Sequence, residues 1–231
     1  MLRLTPILLA LLYGFIMYRF SAWRTNAELD AKSTRLLDPK LQPVIDQMAA
    51  ALDLDKIKVF VHEVEPVNGL AASDGRIFIT RGFMNKFQAG EVNANELASV
   101  IAHELGHVAL GHSRRRMIDF SGQNAIRVAL GMVLGRLLPG IGVYLANMLA
   151  TMVGARLSRN DEFEADAYAA ALLTKSGIGT AGQKSLFEKL ETLTGVSGQP
   201  LAWLMSHPKT QLRIEAIEKL ENRWAGVVEN S

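Results

Sequence analysis

The stretch "NANELASVIAHELGHVALGH", Asn93 to His112, decides the fold. Asn93 followed three residues later by Glu96 is a capping-box pattern, and it opens a helix. Leu97, Val100, Ile101, Leu105 and Val108 then recur at helical spacing and supply a buried stripe. At about 100° per residue, His103 and His107 fall roughly 40° apart on one face, which aims both imidazoles at one point and leaves Glu104 on the flank. His-Glu-x-x-His on a helix is a zinc-binding geometry with a base beside it. Continued as a helix, the chain carries His112 roughly 180° around from His103, toward the apolar stripe. His112 is therefore expected to be a packed or helix-end histidine and not a ligand.

A catalytic zinc takes three protein ligands and a water, so the pair needs a third partner. Candidates cluster in "NDEFEADAYA", Asn160 to Ala169. Glu162 and Asp166 are four apart and share a helical face, whereas Glu164 lies about 200° from Glu162 and looks elsewhere. A glutamate on the metal, with an aspartate four residues on holding a ligand histidine, would fit the recurring carboxylate, histidine and zinc chain. Acidic residues near a helix start can equally be partners of the helix dipole, and spacing leaves both readings open.

The remaining chain is consistent with one catalytic domain. At 231 residues it can bury a single substantial core. Hydrophobic residues make up 49% and charged residues 21%, which is apolar for a soluble protein and too polar for a many-span transporter, so membrane contact is expected. A net charge of +2 is too small and scattered for nucleic-acid binding. The absence of cysteine excludes disulfides, thiolate metal sites and cysteine nucleophiles. The period-2 runs "KIKVFVHEV" and "RIFIT", with an Asp74-Gly75 turn between Leu70–Ser73 and Arg76–Ile79, predict a small antiparallel sheet ahead of the histidine helix. Further helices are expected over residues 38–54, over "SRNDEFEADAYAAALLTKSG" up to Gly177, and at about 182–193 and 209–224.

Taken together, "VIAHELGHVALGH" and "SRNDEFEADAYAAALL" resemble the HtpX-like and CAAX prenyl protease-type zinc metallopeptidases, gluzincins of membrane-associated protein processing and quality control. "VNGLAASDGRIFITRGFM" resembles the family's hairpin before the active-site helix, whose edge strand takes up substrate. "SHPKTQLRIEAIEKL" resembles its C-terminal His-Pro motif ending in arginine. The resemblance covers about Asp38 to Leu220. It implies an α+β, predominantly helical zincin-type domain binding one Zn2+ per chain through His103, His107 and Glu162. Glu104 is then the base, Asp166 supports a ligand, and His207 and Arg213 are candidates for stabilising the oxyanion. The implied activity is that of a zinc metalloendopeptidase acting on unfolded or membrane-associated proteins. A zinc-bearing holdase, or a membrane-anchored adaptor with a plugged cleft, would keep the same core but has no need of Glu104.

Two apolar segments set the expected organisation. Leu4 to Tyr18 is uncharged between Arg3 and Arg19, short for a span but flanked by arginines that can snorkel and by interfacial aromatics. Residues 1–24 are thus expected to be an N-terminal membrane-anchor helix or a signal segment, 25–37 a linker, and 38–225 the metallopeptidase domain. An anchor in the cell (inner) membrane is the expected location, and Arg19, Arg24, Lys32 and Arg35 after the segment lean toward a cytoplasmic domain. The second segment, uncharged between Arg136 and Arg156, cannot be one full span. Helices carrying His103 and Glu162 must meet at one ion, which requires an even number of crossings. Two crossings with a turn need about 40 residues, more than 123–156 provides. An apolar helical hairpin over 123–156, broken near Pro139 and near the cleft or a membrane surface, is expected instead.

Overall fold

The computed structural model describes residues 15–16, 19–20, 23–72, 74–112, 128, 130–190 and 210–228. After helical residues 23–31 come β1 (Ser33–Arg35), α1 (Gln42–Ala51), β2 (Val59–His62), β3 (Gly69–Ala71), β4 (Ile77–Thr80), α2 (Arg81–Gln88) and α3 (Ala94–Ala109). Then follow α4 (Gly142–Lys175), α5 (Ala181–Leu190) and α6 (Thr210–Val228). The result is a helix-rich α+β domain with a small sheet.

The sheet is mixed, with strand order β1-β2-β4-β3, and not antiparallel throughout as expected. β3 and β4 do form the antiparallel hairpin across the Asp74-Gly75 turn, pairing Gly69 with Ile79 and Ala71 with Ile77. β4 then lies between β3 and β2, parallel to β2 with Val59 opposite Ile77. Alternation in a strand tells which face is buried but not which way its neighbour runs, so the parallel pairing left no local mark. The expected linker over 25–37 is structured along most of its length: residues 25–31 are helical, Ser33–Arg35 pairs antiparallel with β2, and Leu36 enters the core.

One face of the sheet, through Val59, Val61, Ile77 and Ile79, joins the main core, in which α2 and α3 lie against the strands and α1, α5 and the C-terminal half of α4 contribute further apolar side chains. The other carries a smaller cluster of Leu29, Ala72 and Phe78, with Phe60 and Leu70 beside it. α3 runs through the middle, and every residue from Glu96 to His107 is buried. Its start is closed by the capping box: Asn93 Oδ1 accepts from Glu96 N–H, and Glu96 accepts from Asn93 N–H. The buried Glu96 carboxylate is matched by Lys189 and Ser185 of α5 at 2.9 and 2.6 Å.

α4 is a continuous helix of 34 residues. It begins after the turn at 138–141, where Gly140 has φ +91° beside Pro139. It ends at Ser176 and Gly177, whose φ of +77° takes the left-handed conformation that stops helices. The expected anchor falls largely on residues outside those described, as do 123–127 of the expected hairpin. Among the described residues, no helix is long and apolar enough to cross a membrane.

Candidate metal centre

α3 and α4 cross at Gly106. A Cβ there would lie 2.9 Å from the carbonyl oxygen of Ala165 and 3.0 Å from its Cα, closer than side chains pack. Glycine lets the two backbones touch, and that contact puts Glu162, one turn before Ala165, over the histidine pair. His103 Nε2 and His107 Nε2 are 3.1 Å apart, and the Glu162 carboxylate lies 3.4 Å from the first and 3.6 Å from the second. All three side chains are buried. A tetrahedral ion with bonds of about 2.0–2.1 Å holds its donors about 3.3 Å apart, so two imidazole nitrogens and one carboxylate oxygen at these separations fit a single metal ion.

Behind His103 stands a buried ionic chain. Its Nδ1–H donates to Asp166 Oδ1 at 2.9 Å, which leaves the Nε2 lone pair directed at the other donors. Asp166 in turn accepts two hydrogen bonds of 2.6 Å from Arg213, one to each carboxylate oxygen. Arg213 is fully buried, lies on the Phe187 ring at 4.3 Å, and approaches His103 on its Nδ1 side. It therefore sits behind the ligand and does not face the donors, contrary to its expected place beside an oxyanion. A buried guanidinium needs a buried anion, and Asp166 holds it back. Burial would push the Asp166 carboxyl up, but Arg213 and His103 outweigh that and hold it below the usual carboxylate range. Burial likewise opposes charge on His103, yet Asp166 and Glu162 raise it to about 9 in the metal-free protein.

His107 is backed differently. α3 ends at Ala109, and Gly111, with φ +65°, turns the chain so that His112 folds back under the last helical turn. His112 is buried, with Nδ1 2.7 Å from His107 Nδ1 and Nε2 3.3 Å from Glu164 Oε2. The expectation that His112 turns away toward the apolar stripe is thus corrected: extrapolated helix geometry fails because the helix stops before that residue. Gly111 was the available signal, since a glycine near a helix end marks such a reversal. Gly106 had none, because a close crossing depends on a partner 59 positions away in the chain, from Gly106 to Ala165.

Glu104 is buried beside His103, under the edge strand. A Cβ on Gly69 of β3 would lie 2.7 Å from Val100 and 3.5 Å from Glu104 Oε1, so the strand runs directly over this carboxylate. His207 lies outside the described residues.

Residues 35–221 match Peptidase family M48. The chain is 31% identical to Metalloprotease LoiP of Escherichia coli (strain K12) over 82% of its own length and 75% of that protein. It is 34% identical to Metalloprotease YcaL of the same strain over 68% of its length and 59% of that protein. A Protease HtpX homolog of Nostoc sp. is 28% identical over 80% of this chain and 75% of its own.

Proposed function

The chain belongs to peptidase family M48 and is a metalloendopeptidase, and we propose that its metal is a single zinc held by His103, His107 and Glu162. The observation that carries this reading is the convergence of two imidazoles and one carboxylate at tetrahedral spacing in a buried site, with a further carboxylate, Glu104, alongside. Two nitrogens and one oxygen from protein, with a place left for water, is the donor set of a catalytic zinc.

When bound, the zinc supplies Lewis acidity for the scissile carbonyl and lowers the pKa of a water. Glu104 takes the proton of the attacking water and delivers it to the leaving amine, so its carboxylate is restored at the end of the cycle. Asp166 keeps His103 in the Nδ1–H tautomer, and Arg213 keeps Asp166 ionised and fixed. A substrate laid as an extended strand on the outer edge of β3 would run over Glu104, which the contact at Gly69 supports. His207 is the remaining candidate donor to the oxyanion, a role that contributes about 3 kcal/mol for one well-placed group.

Its substrates, on this reading, are unfolded or membrane-associated proteins, and its setting is protein quality control at a membrane. Support comes from the HtpX homolog among its relatives, from the uncharged segment Leu4 to Tyr18, and from the apolar side chains exposed along 128–152. Glu104→Gln tests the mechanism: the purified variant is expected to retain zinc and to cleave an unfolded protein such as casein at least about 1,000-fold more slowly. Undiminished cleavage would remove Glu104 from the chemistry.

A further inference from the structure

The two Nδ1 atoms of His107 and His112 face each other at 2.7 Å, and this contact admits only one arrangement of protons once His107 holds a metal through Nε2. A neutral imidazole has one N–H and one lone pair. With its Nε2 lone pair on the ion, His107 carries hydrogen on Nδ1 and donates it to His112. His112 must accept on Nδ1, so its own hydrogen is on Nε2, the atom 3.3 Å from Glu164 Oε2 and 3.9 Å from Asp161 Oδ1. Donors and acceptors then match along the whole row, from carboxylate through two imidazoles to the metal.

From this row we infer that His112 is a positioning residue for the zinc ligand His107, passing the charge of Glu164 to it through one intervening ring. The inference rests on the ligand set proposed above. It gives each ligand histidine its own support from α4: Asp166 acts directly on His103, and Glu164 acts on His107 through His112. Four features make the relay more than packing. His112 is 1% exposed, its two nitrogens each meet a polar atom, its ring stands at 70° to that of His107, and Gly111 bends the chain to bring it there. An apolar side chain of similar size would fill the space without these bonds. Supporting groups of this kind are worth about 10- to 100-fold in metal affinity.

The test is zinc affinity, measured by competition with a chromogenic chelator on the full chain. His112→Phe is expected to weaken binding by about 10- to 100-fold. His112→Gln is expected to recover most of that loss, because its amide oxygen can accept from His107 while its NH2 donates to Glu164. Glu164→Gln, at a half-exposed position that tolerates substitution, should weaken binding by about threefold in the wild-type background and by nothing when combined with His112→Phe, as expected for a group that acts through the ring. Wild-type affinity in His112→Phe, failure of His112→Gln to improve on it, or an undiminished Glu164 effect in the double variant would each overturn the relay. Failure of the underlying ligand set has a different signature: the wild-type protein itself would then bind no zinc, or would bind it undiminished after loss of Glu162.

Discussion

The two halves of α4 share one backbone and differ in what they bury and what they expose. Its first turns carry Val143, Tyr144, Met148, Leu149 and Met152 exposed, while its later turns bury Asp161, Glu162 and Asp166. The inner half buries these carboxylates beside Ala165, Ala169, Ala170, Leu172 and Leu173, whereas the outer half buries only the small Ala146 and Ala150 and leaves its large apolar side chains in the open. The difference teaches where restraint comes from. A buried carboxylate is tolerable only with its counter-groups in place, so the inner half is fixed by His103, His107, His112 and Arg213. The outer half is apolar surface of the kind that marks contact with another apolar phase, and the metal centre asks nothing of it.

The largest expected effect would separate neighbouring carboxylates of the inner half. Glu162→Ala should weaken zinc binding by more than about 100-fold, whereas Glu164→Ala should keep the metal within about tenfold; equal losses by metal analysis after dialysis would mean that the ligand is misassigned. Asp166→Ala comes next. It leaves Arg213 buried without its anion and should destabilise the metal-free fold by about 3–5 kcal/mol in urea titration, and a loss below about 1 kcal/mol would show that the inner half is not held by this pair.

A smaller, pH-dependent effect follows from His103, whose pKa is raised from 6.5 to about 9 in the metal-free protein. A raised folded-state value means that protonation favours the fold: the contribution is complete below 6.5 and disappears as pH rises through 9. Zinc must displace the same proton, so affinity should climb across that window while metal-free stability falls. Paired thermal melts and chelator titrations at pH 6.5 and 9 would check both signs, and parallel trends would contradict the assignment. Gly106→Ala should cost about 1–3 kcal/mol by forcing α3 and α4 apart. Least affected should be Met148→Ser in the outer half, within about 0.5 kcal/mol of wild type and with unchanged zinc affinity.

Local chemistry makes much of the site legible in the sequence itself. The capping box at Asn93 and Glu96 fixes where α3 starts, and the four-residue spacing of His103 and His107 then fixes their common face. Glu162 and Asp166 share a face for the same reason, and the structure brings Glu162 to the pair and Asp166 behind it. Non-local relations are not legible in this way. The parallel pairing of β2 with β4, the approach of Ala165 to Gly106 and the seat of Arg213 all depend on segments distant in the chain. His112 is intermediate, since its position turns on whether the helix continues past Ala109, a matter of one glycine.

The continuity of α4 makes it a rigid rod about 50 Å long at 1.5 Å per residue. Its apolar end and its ligand-bearing end share one axis, with the crossing at Gly106 and Ala165 as a natural fulcrum. A tilt of a few degrees at the far end would move Glu162 by no more than tenths of an ångström relative to two histidines fixed on α3. Glu162 lies only three residues, about 4.5 Å, from that crossing, so the close contact at Gly106 shields this ligand from motion at the apolar end.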